Sequence, residues 1–182
     1  DKEIGPGYVP KNADDFKRIL TQLTSPGANR WAIGATTGIV SGGGINVPSL
    51  LKIFPSMFGA PNVWKVDGSN FVRDYETPEF KESVSYFKDL VSAGVFFPDT
   101  LTSPTGPPQS SFPTGKAVLT LAGFGVTWTS MWNALQQVKP VVNFLPLPPF
   151  PAKDGQKVVH YLGAGFLVTL GLKKAAPDRI KE

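Results

Sequence analysis

The chain has 182 residues, 41% hydrophobic and 18% charged, with a formal net charge of +4. That is enough for one good-sized domain with a substantial core, and charge below the about 25% usual for soluble domains. The 18 basic residues are scattered, so there is no basic stripe for nucleic acid. The absence of cysteine excludes disulfides, thiolate zinc sites and a cysteine nucleophile, and suits an extracytoplasmic protein.

No apolar run reaches about 18 residues, so no transmembrane helix is expected. The chain opens on Asp1-Lys2-Glu3 without an initiator Met or signal peptide and stops just after a helix start. It reads as an excised fragment.

Asn12-Ala13-Asp14-Asp15 is a helix start with an acid at N3. Phe16, Ile19, Leu20 and Leu23 follow at i, i+3, i+4 and i+7, which predicts an amphipathic helix over 13–24. Ser25-Pro26-Gly27 ends it. Trp31–Ala35 reads as a short buried strand. Ser41-Gly42-Gly43-Gly44 is glycine-rich but lacks the Lys-Ser/Thr of a phosphate loop, and reads as a flexible loop. A helix is expected near 47–58, with Leu50, Leu51, Phe54 and Phe58 as its apolar face. Pro55 should kink or end it.

The segments 63–66 and 70–75, around Asp67-Gly68, spell a β-hairpin. Thr77-Pro78-Glu79 is a Thr N-cap with Pro at N1 and an acid in the first turn. It opens a helix to about Ala93, with Phe80, Val84, Phe87 and Val91 as a stripe, Ser83 and Leu90 beside them, and Gly94 as the stop. Residues 95–109 read as loop. Phe112–Thr120 reads as a Gly115-Lys116 turn and a short strand, then comes a Gly123-Phe124-Gly125 break and a helix from Val126. Residues 141–145 read as a strand, 146–151 as a proline-rich connector, and Asp154-Gly155 as the turn of a second hairpin into Lys157–His160. Residues 161–170 read as a strand leaving that hairpin, and Ala176-Pro177-Asp178 opens a last helix. Strands and helices mix irregularly, so the class is α/β or α+β with a mixed sheet.

Catalytic chemistry has few carriers here. His160 is the single histidine. First-turn acids such as Asp14, Asp15 and Glu79 are explained by helix capping, and Asp67 and Asp154 by turns. Asp74, Glu76 and Asp99 are left over. A glycosidase-type pair would need two carboxylates facing one cleft, and no local pattern favours one. An enzyme is not expected, nor is a metal or cofactor. Aromatics beside glycines remain: Phe124, Trp128, Trp132 and Tyr161, with Ser41, Thr127, Ser130 and Asn133 as polar partners. Such groups suit a sugar, whose apolar ring faces stack on aromatics and whose hydroxyls need polar groups.

In this order the pieces resemble the extracellular (family 1) solute-binding proteins of ABC importers, the maltose-binding-protein-like group. Val9-Pro10-Lys11-Asn12-Ala13-Asp14-Asp15-Phe16 is similar to the family's P-K-T-x-[DE]-[DE]-F helix start. Phe58-Gly59-Ala60-Pro61 with Trp64–Gly68 follows, then Asp74–Glu82. Phe112-Pro113-Thr114-Gly115-Lys116-Ala117-Val118 is similar to the F-x-x-G-K-A-A-M signature. Leu145–Pro149 and Lys173–Asp178 come last.

The resemblance implies a type II periplasmic-binding-protein lobe with a mixed sheet flanked by helices. Residues 1–9 would lead in from a first lobe, 10–162 form most of the second lobe, and 163–182 make a crossing strand and partial return. It implies an extracytoplasmic location (periplasm, or cell surface as a lipoprotein) and binding of a mono- or oligosaccharide in an interlobe cleft. The solute would pass to ABC permease subunits. Membrane contact would be only through a lipid anchor this fragment lacks. Phe124, Gly125, Thr127, Trp128, Ser41, Gly43, Gly44 and Tyr161 would line the cleft. Gly125 stands where a maltose-binding relative places tryptophan, so stacking would fall to Phe124 or Trp128. The alternative is a carbohydrate-active enzyme or its accessory module.

Overall fold

The structure is a computed structural model that describes residues 7–34, 50–100, 110–120, 132–137 and 145–161, with 50–53 described by backbone. Several expectations fall outside these residues: the Ser41–Gly44 loop, the side chains of Leu50 and Leu51, the Gly123–Trp128 turn, the 141–144 strand, the strand beyond Tyr161 and the last helix.

Helix α1 spans Ala13–Leu23. Asn12 caps it, its side-chain oxygen accepting from Asp15 N at 2.8 Å. Asp14 and Asp15 sit in the first turn, where free N–H groups favour negative charge. Phe16, Ile19 and Leu20 are buried. Each such side chain contributes on the order of 1.5–3 kcal/mol by leaving water.

Strand β1 (Trp31–Ile33) follows. It pairs in parallel with a strand far along the chain, Ala117–Leu119, in the register Trp31↔Ala117 and Ile33↔Leu119. On its other side Ile33 bridges Phe96, also in parallel, with Ile33 N donating to Val95 O and Phe97 N to Ile33 O. Part of the expected 95–109 loop is therefore strand-like. A partner distant in sequence sets that pairing, so local composition does not reveal it. At the end of β1, Gly34 lies so close to the Ser111 turn that a Cβ there would sit 1.9 Å from Ser111 Oγ and 2.6 Å from Ala117 Cβ.

Helix α2 is Leu50–Phe58 and continues past Pro55. The proline forfeits one backbone bond but does not break the helix, because Phe54 and Met57 on either side of it are buried in the core. The helix ends on Gly59 at φ +83°. Gly59 N donates to Ser56 O and Ala60 N to Pro55 O, the double bond pattern of a Schellman cap.

Strands β2 (Trp64–Asp67) and β3 (Asn70–Arg73) form the expected hairpin. Gly68 has φ +61° while Ser69 stays at negative φ, which suits a Gly-X two-residue turn. The expected strand stops at Arg73, since Asp74–Glu76 is a single 3-10 turn. Thr77 then caps helix α3 (Pro78–Ser92), accepting from Phe80 N. Gly94 at φ +67° ends it. The buried face is centred on Ser83, Tyr86 and Leu90. Val84, expected in the stripe, is exposed.

The core gathers Phe16 and Leu20 of α1, Ile33 of β1, Phe54 and Met57 of α2, Tyr86 and Leu90 of α3, and Phe96. Phe150 closes it, its ring 5.0 Å from that of Phe16. The strand Ala117–Leu119 is β4. The architecture among the described residues is mixed α/β, with a parallel pair β1-β4 and an antiparallel pair β2-β3.

The second hairpin does not form. Residues 156–161 are irregular after the Asp154-Gly155 turn. Prolines 146, 148, 149 and 151 supply no N–H for a ladder. The arm instead joins helix ends, with Ala13 N donating to Ala152 O, Ala152 N to Met57 O and Asn12 Nδ2 to Asp154 Oδ1.

Candidate functional site

Of the expected cleft residues, Phe124, Gly125, Thr127, Trp128, Ser41, Gly43 and Gly44 lie outside the described residues. Tyr161 lies within them. It is half-buried, and its hydroxyl donates to Ala60 O at 2.8 Å, just past the cap of α2. Burial, reinforced by the Asp74 carboxylate, pushes its pKa up to about 12. At neutral pH the Tyr161 proton is committed to a backbone carbonyl.

Asp74 links Tyr161 to the hairpin. Its N–H donates to Val63 O at 3.0 Å, and its Oδ1 lies 3.8 Å from Arg73 Nε. That is an ion pair without a hydrogen bond: neither buried atom has a hydrogen-bond partner. The Arg73 guanidinium is held by rings instead, 4.6 Å from the centre of Trp64 and 5.2 Å from that of Tyr75. Cation–π contacts of this kind contribute about 0.5–1 kcal/mol at exposed sites.

Cross-strand register explains the grouping. Trp64 faces Arg73 and Val66 faces Phe71, and alternation puts all four on one side of the hairpin. Trp64 meets Phe71 edge-on with centres 6.4 Å apart. These apolar groups are not core. Trp64 is 52% exposed, Val66 67%, Phe71 70% and Tyr75 60%. The entry to β2 is strained: Val63 has φ +71°, and Trp64 N donates back to Asn62 O at 2.8 Å. This is a γ-turn of the unfavourable hand, uncommon for a β-branched residue. It sets the direction from which Trp64 enters the strand. The sequence reading found the hairpin but not this exposed face; the alternation Trp64-x-Val66 and Phe71-x-Arg73 groups the side chains on one side without showing that the side is uncovered.

Elsewhere, an open groove of about 540 Å³ runs between the start of α1 and α3, lined among others by Asp14, Glu82, Asp89 and Lys153. Two of its charges are in ion pairs, Lys153 with Glu82 at 2.7 Å and Asp89 with Lys17 at 3.9 Å. His160 is exposed. Trp132 is 41% exposed, and Leu135 in the same helical segment is buried. Glu76 has a structural duty, accepting from Arg73 N at 2.9 Å. Among the described residues no cluster of acidic or histidine side chains is placed to hold a metal ion, and no helix is long and apolar enough to cross a membrane.

No family model matches the chain. The chain is similar to the polygalacturonan/rhamnogalacturonan-binding protein YtcQ of Bacillus subtilis (strain 168), at 26% identity over 109 residues. The match takes in 60% of this chain and 22% of that protein, so the chain spans about a fifth of the length of this relative. The relative is named as a binding protein rather than as an enzyme.

Proposed function

We propose that this chain is part of an extracytoplasmic solute-binding protein that takes a carbohydrate and passes it to the permease of an ABC importer. The observation that carries this reading is the similarity to a polysaccharide-binding protein. It agrees with the order of family-like pieces from Val9–Phe16 to Lys173–Asp178. The mixed α/β core, with a parallel β1-β4 pair under helices, suits a type II binding-protein lobe. Residues 10–162 would form that lobe, and 163–182 would cross toward the other.

In this reading no bond is made or broken. Two lobes close over the solute, and the solute's preference for the closed form supplies the signal to the permease. Phe124 or Trp128 would stack on a sugar ring. Gly125, Gly43 and Gly44 would admit the ligand close to the backbone, and Thr127, Ser41 and Tyr161 would meet its hydroxyls. The relative's acidic polysaccharides make oligogalacturonates and rhamnogalacturonan fragments the first solutes to try. Calorimetric titration with these, with neutral oligosaccharides and with peptides tests the reading. Heat with a carbohydrate is the expected result. Silence across all carbohydrates with heat for peptides would overturn it.

A further inference from the structure

We infer that the exposed face of the β2-β3 hairpin is a binding surface for acidic sugars, with Trp64 and Phe71 as ring platforms and Arg73 as the carboxylate reader. The inference rests on the carbohydrate reading above but concerns a different surface from the glycine-flanked cleft.

Four observations converge on it. First, Trp64, Val66 and Phe71 on one short hairpin and Tyr75 on the turn that follows it stand more than half exposed. Trp64 meets Phe71, and Arg73 lies over the Trp64 and Tyr75 rings; none of the four is in the core cluster. Second, the cation among them is preorganised. Trp64 and Tyr75 hold the guanidinium, and Asp74 balances its charge from 3.8 Å without taking an Nε hydrogen bond. A planar guanidinium can meet a carboxylate with two parallel N–H bonds. Third, Val63 holds an unfavourable backbone conformation immediately before Trp64. Strain of this kind persists where surrounding structure over-determines it, and it clusters at ligand sites. Fourth, the chemistries of the groups agree on one ligand. A uronic acid residue offers an apolar ring face and a carboxylate on the same ring. A neutral sugar would leave Arg73 unused, and a simple anion would leave the aromatic surface unused.

The test uses the 182-residue chain with three probes: a hexamer of galacturonic acid, the same hexamer fully methyl-esterified, and a neutral galactose hexamer. Affinity is read by calorimetry, and the contact by the Trp64 indole N–H signal in two-dimensional NMR. The acidic hexamer is expected to bind, to shift the Trp64 signal, and to weaken as salt rises. Esterification and Arg73→Gln should each cost roughly tenfold or more in affinity, as losing a charge-assisted hydrogen bond does. Arg73→Lys should keep part of it. Trp64→Ala should weaken the acidic hexamer to a similar degree. Amide-signal dispersion checks that each variant is folded. If Arg73→Gln is not, Arg73→Lys with Trp64→Phe decides the matter, since the first keeps the charge but loses the planar fork and the second keeps an aromatic ring of smaller area.

Acidic-hexamer binding that is indifferent to the Arg73 and Trp64 variants would overturn the hairpin site while leaving the solute-binding reading in place. Equal binding of acidic and esterified hexamers would overturn the role of Arg73 as carboxylate reader. Failure of every carbohydrate to bind this chain would overturn the hairpin site, which lies within one lobe, while the interlobe reading is decided by titrating a protein that carries both lobes. Self-association abolished by Trp64→Ala, with no sugar shift, would assign the face to a protein partner and overturn the inference.

Discussion

Replacing Tyr161 by Phe removes one hydroxyl and leaves the ring. The lost contact is a neutral hydrogen bond, 2.8 Å long, to Ala60 O at the end of α2. Such a bond between partly buried neutral groups is worth about 1 kcal/mol net, so Tyr161→Phe should lower unfolding stability by about that much at pH 7. The pH dependence gives a second, independent check. The folded pKa is raised to about 12 from 10.0 by burial, with Asp74 adding to it. A raised pKa means stability that is fully present below the unfolded value and lost as pH rises through the folded one. The difference between parent and variant should therefore hold steady up to about pH 9.5. It should shrink between pH 10 and 12, and can change sign there. Because Tyr161 is only half-buried, solvent screening keeps the alkaline loss to about 1–2 kcal/mol. Urea unfolding of both proteins at pH 7, 9, 10 and 11 measures this. Other alkaline titrations, including that of Tyr86, cancel in the comparison. A difference of zero at pH 7 would refute the hydrogen bond. A difference that stays constant through pH 11 would refute the link between burial and ionisation.

Three further perturbations test the scaffold. Gly34→Ala forces a Cβ to within 1.9 Å of Ser111 Oγ and 2.6 Å of Ala117 Cβ, and should cost about 1–3 kcal/mol by overpacking; an unchanged urea midpoint would refute the close approach. Val63→Gly relieves a left-handed β-branched residue, worth about 1–2 kcal/mol, against a glycine entropy cost of up to about 1 kcal/mol. Stability should then hold or rise slightly, and a fall beyond 1 kcal/mol would show that Val63 is not strained. Asp15 is held near pKa about 2, chiefly by the Tyr8 hydroxyl, then by the Lys11 N–H and Arg18. Its contribution is present above about pH 4 and lost as pH falls toward 2, so Asp15→Asn should flatten acid unfolding in that window and leave higher pH dependence unchanged.

The elements legible in the sequence are those whose signals are local. Asn12 with Asp15, Thr77 with Pro78, and Gly94 each act through backbone geometry within a few residues and sit where their motifs place them; the hairpin turn forms one residue later than expected, on Gly68-Ser69 with Asp67 in the strand. Longer-range effects escaped. The pairing of Phe96 with Ile33 depends on a strand some 60 residues away in sequence, and nothing in Val95-Phe96-Phe97 distinguishes it from loop. By sequence Pro55 should kink or end its helix, and it does not end it: a proline's cost of about 3 kcal/mol in a helix interior is matched by what burying Phe54 and Met57 returns. The second hairpin had a good turn in Asp154-Gly155 but lacked ladder donors upstream, and its arm found helix termini instead.

The hairpin face escaped for a different reason. Alternation of Trp64, Val66, Phe71 and Arg73 shows that one side is apolar, but not whether anything lies against that side. A half-buried strand and an unpartnered one have the same pattern. An isolated two-stranded hairpin is marginal in water. This one is supported at its ends, by Asp74 N on Val63 O and by Arg73 N on Glu76, and by the Trp64–Arg73–Tyr75 stack. The two end contacts leave the rings alone, and the stack covers only the ring area over which Arg73 lies. Covering about 100 Å² of the exposed ring surface would return about 2.5 kcal/mol, a gain the folded chain has not already spent. Scattered exposed apolar residues need no explanation. Four grouped on one strained hairpin and its following turn around a fixed cation do, and the cation argues for a ligand that brings both a ring face and a negative charge.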